Sequence, residues 1–293
     1  MITRWLVYHV ASGQAFFTGA ACLIVAVAMA YRTNRPCWRG ILELGAFLGG
    51  MLVFLSATPL APWAYLILSF LTIAWLIGEQ VRPTASRRIV PGLRATVATA
   101  WLAAVLVEVP YHVMPRVPPL GNPVLGIIAD SVTAGMGQPG VTTWPTLFAG
   151  RYGVTVRDHS QMGATVASAW KQAAELSSEE RLVLLEIGGN DLLGVSTPRE
   201  FEAGLEKLLE VVERSGRVIV MLELPLLPSY NAFGRIQRRL ARSHRVILVP
   251  KRVLLDVLER GGATVDTIHL SQEGHHAMSD RMWAVVRDAY EHR

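Results

Sequence analysis

The sequence predicts an α-helical membrane region followed by a three-layer α/β/α domain built on a parallel sheet. Apolar residues make up 51% of the 293 residues, and the mean hydropathy is +0.33. Long apolar stretches fall before residue 112, whereas short Val, Ile and Leu runs alternate with helix-period stretches after residue 122. Long apolar stretches are typical of membrane spans, and strand–helix alternation is typical of a parallel sheet covered by helices.

Residues 1–112 form the predicted membrane region. A bilayer core of about 30 Å requires about 20 apolar residues in a helix. Four segments approach this length, namely 7–31, 40–58, 61–78 and 95–111. A cleaved signal peptide is the alternative for the first segment, since "AVAMA" resembles a cleavage site, but the later segments favour four retained spans.

Arginine residues indicate the orientation of these spans. Two predicted loops on one side of the membrane carry seven arginines, and the other side carries only Arg4 and Arg116. The seven are Arg32, Arg35, Arg39, Arg82, Arg87, Arg88 and Arg94. By the positive-inside rule both loops are cytoplasmic, so the later domain is extracytoplasmic, as in a protein of the bacterial inner membrane. The basic excess belongs to the membrane region, which argues against a nucleic-acid partner.

A proline-rich linker is predicted at 113–123, between the spans and the α/β domain. Proline at 115, 118, 119 and 123 prevents helix continuation and favours a stiff, extended tether. Together with the four preceding residues it would span at most roughly 50 Å. We therefore expect the outer domain to remain close to the membrane lipid.

The α/β domain is predicted to occupy 124–293, with polar groups after several strands. The predicted strands are 124–129, 153–157, 182–187, 217–223 and 245–249, and the predicted helices are 142–151, 164–176, 199–214, 229–243, 251–260 and 273–290. Polar groups follow the first three strands, and "DTIH" lies between the fifth strand and the last helix. In parallel sheets such groups meet beyond the carboxyl ends of the strands.

These polar groups include the components of a nucleophilic serine site. A serine hydroxyl needs a base, and the base needs a third group that holds its tautomer. Asp266 and His269 supply both, so His269 is expected to face Ser131. Donors for a developing oxyanion are the backbone N–H groups of Ser131 and Gly163 and the side-chain amide of Asn190.

The four segments "ADSVTAG", "MGAT", "GGND" and "DTIH", in this order, resemble the blocks of the SGNH (GDSL-like) hydrolase superfamily. The resemblance covers roughly 122–293 and implies a flavodoxin-like α/β/α fold and a serine esterase without metal or cofactor. Two departures are Ala129, where the family has glycine, and a missing asparagine early in the second block. The implied catalytic residues are Ser131, His269 and Asp266, the implied oxyanion hole is Ser131, Gly163 and Asn190, and Asp130, Gly189 and Asp191 are expected to support the site.

Other interpretations compete for some of these residues. Ser131 could cap a helix, and "GMGQPG" at 135–140, with Asp158, fits a dinucleotide fingerprint on paper. "RIQRRLARSHR" at 235–245 is expected to be a solvated helix face or to touch anionic headgroups, and His275 to be exposed.

The resulting prediction is a membrane-embedded, extracytoplasmic serine esterase. Its acyl-ester substrate would be a lipid or a lipid-linked envelope glycan. Polysaccharide O-acetylesterase or O-acyltransferase activity would use the same residues, and a non-catalytic membrane scaffold is the alternative of another class. The sequence gives no indication of the oligomeric state.

Overall fold

The computed structural model describes residues 2–32, 36–80, 86–214, 216–266 and 268–291. Arg35 and Arg82 lie outside these ranges, as does Thr267 of "DTIH", and the side chains of Arg87 and Arg88 are not described. The chain divides into two compact units. A helical unit comprises Met1–His112 and Leu226–Asn231, and an α/β unit comprises Val113–Pro225 and Ala232–Arg293.

The helical unit contains five α-helices in its described residues. They are α1 (Ile2–Ala11), α2 (Gln14–Arg32), α3 (Pro36–Leu55), α4 (Pro62–Gln80) and α5 (Ser86–Glu108). The predicted first span is broken into α1 and α2, because Gly13 adopts φ +85° and turns the chain. By length and composition, Gln14–Arg32, Pro62–Gln80 and Val90–His112 could each cross a membrane. Helix α3 overlaps the predicted second span but is not among these three candidates in the described part of the chain.

Helices α2 and α3 cross at close range. A Cβ atom on Gly19 would lie 2.5 Å from the Gly49 carbonyl oxygen, and one on Gly49 would lie 2.8 Å from the Gly19 carbonyl oxygen. Between α4 and α5, the Arg94 guanidinium donates to both carboxylate oxygens of Glu79 at 2.6 and 2.8 Å. Small residues let helix backbones approach, as in packed membrane helices.

The α/β unit contains a five-stranded parallel sheet, as the alternation of strand and helix predicts. The strands are β1 (Leu125–Ala129), β2 (Val156–Asp158), β3 (Leu182–Glu186), β4 (Val218–Leu222) and β5 (Ile247–Val249), in the order β2-β1-β3-β4-β5. The helices are α6 (Ser131–Ala134), α7 (Trp144–Tyr152), α8 (Val166–Ala174), α9 (Pro198–Val212), α10 (Asn231–Ser243), α11 (Arg252–Leu258) and α12 (Gln272–Val286). The flavodoxin-like three-layer architecture is confirmed.

Side-chain alternation along the strands builds the two apolar layers. Ile127 and Leu184 point to the face where α7, α11 and α12 pack, in one cluster with Met278 and Met282. Ile128 and Leu185 are equally buried and point to the other face by the period-two rule. The sheet is therefore covered on both faces, and its polar chemistry is confined to the strand ends.

The proline-rich linker does not form a free tether. Val117 is 2% exposed and packs in the same apolar cluster as the sheet. The Leu120 N–H donates to the Ala289 carbonyl at 2.8 Å, and the Arg181 side chain donates to the Leu120 carbonyl at 3.2 Å. The linker therefore belongs to the α/β unit, and its apolar side chains explain why it packs instead of remaining extended in solvent.

The expectations for two surface positions were wrong, although Arg239, Arg242 and Arg245 of the 235–245 segment are exposed as expected. Arg238, expected on a solvated face, is 4% exposed and donates to the buried Glu223 carboxylate at 2.6 Å. His275 is fully buried and its ring accepts a hydrogen bond from the Trp144 backbone N–H at 3.2 Å, whereas His276 is exposed.

Candidate active site

The candidate site lies beyond the carboxyl ends of β1 and β3, two neighbouring interior strands of the sheet. From β1 the chain continues to β2 on one side, whereas β3 leads to β4 on the other. Such a divergence between neighbouring parallel strands opens a crevice, which is the usual position of ligand sites in this architecture. Residues following β1 and β3 line this crevice.

The turn after β1 presents Ser131. Asp130 is the N-cap of α6, and its carboxylate accepts the Val132 backbone N–H at 3.0 Å. Ser131 is therefore the first helical residue and not the cap, so its hydroxyl is not used in capping. The hydroxyl lies instead 3.1 Å from the Nε2 atom of His269.

The His269 ring is in turn held by Asp266. Its Nδ1 atom lies 2.6 Å from one carboxylate oxygen of Asp266, and the other oxygen accepts the backbone N–H groups of Ile268 and His269, each at 2.9 Å. The hydrogen bond from the His269 ring is the largest cause that lowers the pKa of Asp266 below its ordinary value, and the two backbone hydrogen bonds lower it further. An ionised Asp266 favours the proton on Nδ1, which leaves Nε2 free to accept the serine proton.

The expected oxyanion donors lie on neighbouring segments. The Gln161 backbone N–H donates to the Ala129 carbonyl at 3.0 Å, which places the second block beside the end of β1. Gly163 is exposed and adopts φ +74°, and no atom approaches within 4 Å of the place where a Cβ would lie. The Asn190 side-chain amide donates to the Ala164 carbonyl at 2.9 Å, so one of its two hydrogens remains for another acceptor.

Asp191 joins the loop after β3 to the start of α8. Its carboxylate is buried and accepts both the Ser196 hydroxyl at 2.5 Å and the Val166 backbone N–H at 3.0 Å. Gly189 directs its backbone N–H at the Asp130 carboxylate, and a Cβ at this position would lie 3.1 Å from that carboxylate. These contacts fix the loop that carries Asn190.

Glu186, the last residue of β3, was not predicted from the sequence. Its carboxylate is buried and accepts the Thr133 hydroxyl at 2.9 Å. Burial raises the pKa of Glu186 well above its ordinary value, and the negative charge of Asp130 is the second largest cause of this increase. Burial also raises the pKa of Asp130 to about 6. The signal in the sequence was an acid that ends an otherwise apolar run.

The dinucleotide interpretation has no structural support. The first glycine of "GMGQPG" follows α6, and the segment continues without regular structure until α7 begins at Trp144. A phosphate-binding fingerprint requires its glycines in the turn between a strand and the next helix N-terminus. Among the described residues, no group of three or more His, Cys, Asp or Glu side chains is arranged to hold a metal ion.

Comparison with known proteins adds independent information. A model of the GDSL-like Lipase/Acylhydrolase family matches residues 130–277, about half of the chain, and this range contains Ser131, Gly163, Asn190, Asp266 and His269. The chain belongs to the GDSL-like lipase/acylhydrolase family. As a member of this family it is a hydrolase that acts on ester bonds.

Related proteins carry names that agree with the family. An arylesterase of Vibrio mimicus is 29% identical over 136 residues, covering 42% of this chain and 68% of the relative. Esterase TesA of Pseudomonas aeruginosa is 25% identical over 173 residues, covering 55% and 86%. In fold, the chain is similar to the psychrotrophic esterase EstA from a Pseudoalteromonas species (TM-score 0.51, 19% identity, 56% of this chain and 96% of that one). The family model leaves the five helices α1–α5 outside its match.

Proposed function

We propose that Ser131 is the nucleophile of a serine esterase, with His269 as the base and Asp266 as the residue that orients it. The observation that carries this proposal is the chain of contacts from the Ser131 hydroxyl to His269 at 3.1 Å and from His269 to Asp266 at 2.6 Å. A hydroxyl, an imidazole and a carboxylate in this order form the arrangement that activates serine in hydrolases.

The reaction would proceed in two acyl-transfer steps. In the first, the Ser131 oxygen attacks the ester carbonyl carbon while His269 Nε2 accepts the hydroxyl proton. His269 then donates this proton to the departing alcohol, and the acyl group remains on Ser131. In the second, water attacks the acyl-enzyme, His269 accepts and returns its proton, and the free acid leaves.

In both steps the carbonyl oxygen becomes negative and needs donors. The backbone N–H groups of Ser131 and Gly163 and the second amide hydrogen of Asn190 would supply them. Each such donor typically contributes about 3 kcal/mol to transition-state stabilisation. Gly163 suits this role because its backbone is exposed and no side chain there would block a substrate.

Kinetics of single variants in the full-length protein test these roles. Ser131→Ala and His269→Ala should each abolish measurable hydrolysis of a short p-nitrophenyl ester. Ser160→Ala, a serine in the neighbouring second block, is the matched control and should retain wild-type kcat. Full activity of the Ser131→Ala protein would contradict the proposed nucleophile.

We also propose that the helical unit embeds the enzyme in a membrane, with the α/β unit on the extracytoplasmic side. Three helices have the length and composition of spans. Large apolar side chains in this unit are exposed, among them Phe54 at 80%, Phe70 at 71% and Leu66 at 71%. Soluble surfaces rarely carry so many large exposed apolar side chains, whereas lipid would cover them.

The arginine asymmetry supports the orientation. An externally added protease should cleave the α/β unit in cells whose outer membrane, if present, has been opened. Protection of this unit in such cells would contradict the proposed side.

For the substrate we propose an acyl ester of a membrane lipid or of a lipid-linked envelope glycan. The support is a hydrolase domain joined to helices that suit a bilayer. Activity should rise with acyl chain length in a series of esters presented in detergent micelles. A preference for acetyl esters would instead favour polysaccharide O-acetylesterase or O-acyltransferase activity, and turnover of none of them by folded protein would favour a binding scaffold.

A further inference from the structure

Two buried carboxyl groups occupy adjacent positions at the ends of the strands that lead to the Ser131 turn. Asp130 follows β1 and Glu186 ends β3, and each side chain is 2% exposed. The two positions are adjacent, because Ala129 pairs with Glu186 in the sheet and the Asp130 N–H donates to the Glu186 carbonyl at 3.2 Å. Neither carboxyl group takes part in the relay from Ser131 to Asp266.

Each carboxyl group holds a different part of the turn that carries Ser131. Asp130 accepts the backbone N–H groups of Val132, at 3.0 Å, and of Gly189. Glu186 accepts the Thr133 hydroxyl at 2.9 Å, and the Thr133 oxygen accepts the indole N–H of Trp144 at 3.0 Å. The turn is therefore anchored on both sides of the serine.

The electrostatic surroundings of this pair are unusual. Within the described part of the chain, no lysine or arginine forms an ion pair with Asp130 or Glu186. Two charged groups act on Asp130: His269 lowers the pKa of Asp130, and Asp191 raises it. The charged group that acts on Glu186 is Asp130, which raises the pKa of Glu186. Two carboxylates in low dielectric without a cation do not ionise together near neutral pH.

We propose that Glu186 is a positioning residue that holds the Ser131 turn as a neutral acid, so that the buried pair carries its single negative charge on Asp130. This inference rests on the proposed function of Ser131. The order of ionisation agrees with it, since burial and the charge of Asp130 both raise the pKa of Glu186 well above its ordinary value, whereas the charge of His269 lowers that of Asp130. A charge on Asp130 faces His269, where it favours the imidazolium that forms during acyl transfer.

A second negative charge would act against the reaction. When Glu186 ionises at alkaline pH, a second negative charge is added beside the turn that carries Ser131, where it disfavours the negative charge that develops in the transition state. It also opposes the charge already present on Asp130, which weakens the anchoring of the turn. Activity should then fall by up to about tenfold per pH unit above the pKa of Glu186.

The test is the pH profile of kcat/KM in the full-length protein with a short p-nitrophenyl ester. Glu186→Gln keeps an acceptor for Thr133 and cannot ionise, so its profile should stay level where the wild type declines at alkaline pH. Glu180→Gln is the matched control, because Glu180 is also buried near β3 but is bound to His159 at 2.6 Å. It should keep the wild-type alkaline decline.

Two results would overturn the inference. One is an alkaline decline of Glu186→Gln that superimposes on that of the wild type. The other is a folded Glu186→Gln protein that has lost its activity at neutral pH, since Glu186 would then be needed as a carboxylate. Neither result concerns Ser131, whose role fails only if Ser131→Ala remains active.

An infrared spectrum gives a second readout that does not depend on activity. Near neutral pH the wild type should show the carbonyl stretching band of a protonated carboxylic acid, and the band should disappear as the pH is raised. If Glu186→Gln does not fold, this titration of the wild type still decides the question. Absence of the band near neutral pH would show that Glu186 is ionised and would contradict the proposal.

Discussion

Replacing Gly188 with alanine should destabilise the loop that carries Asn190. Gly188 adopts φ +112°, and a Cβ there would lie 2.9 Å from Leu224 Cδ1 and 3.0 Å from Phe201 Cε2. Both neighbours are buried, at 3% and 0% exposure, so neither can move away freely. The backbone strain costs about 2 kcal/mol and the overpacking about 2 kcal/mol. The sum of about 4 kcal/mol is a large part of the stability of a typical domain.

The assay is thermal unfolding of the full-length protein in detergent, followed through the α/β unit. For a unit of this size, about 4 kcal/mol corresponds to a decrease in Tm of roughly 10 °C. Gly194→Ala is the matched control, because Gly194 also has a positive φ, +91°, but has open space around it. Its decrease should be about half as large. Equal Tm values for the two variants would show that the contacts with Leu224 and Phe201 do not contribute to the destabilisation.

Three further predictions concern the triad, the buried acid and the helical unit. Asp266→Asn should lower kcat about ten-thousandfold with little change in KM, since the amide favours the wrong histidine tautomer; an unchanged kcat would exclude this role. Because burial raises the pKa of Asp130 from 3.8 to about 6, the wild type should lose about 2 kcal/mol of unfolding free energy relative to Asp130→Asn as the pH rises from 4 to 7. A constant difference in urea titrations at several pH values would contradict the raised pKa. Gly19→Ala should lower the Tm of the helical unit because its Cβ would lie 2.5 Å from the Gly49 carbonyl, whereas Gly50→Ala, with no atom within 4 Å, should not; similar Tm values would contradict the close crossing.

The fold of the α/β unit could be predicted because its signals are local. Strand runs such as "LVLLE" are apolar on both faces, and helices follow each of them, so the parallel sheet follows from pattern alone. The positions of Ser131 and His269 at one rim follow from the same topology. Their 3.1 Å contact could be expected from the sheet geometry but not measured from it.

Features that depend on tertiary packing could not be read from the sequence. The charge of Arg238 predicts exposure, and only the buried Glu223 beside it explains why the arginine is inside. Glu186 resembles an ordinary strand end until Asp130 and Thr133 are placed around it. The break at Gly13 is equally hidden, because a glycine inside an apolar run does not by itself end a helix.

The central claim is that Ser131 is the activated nucleophile, and covalent labelling tests it most directly. The purified protein is treated with a fluorophosphonate, digested, and its peptides are mapped by mass spectrometry. We expect one adduct, on the peptide that contains Ser131. Ser131→Ala should give no adduct, and His269→Ala should be labelled much more slowly. An adduct on a different serine, or no adduct in folded protein that hydrolyses esters, would contradict it.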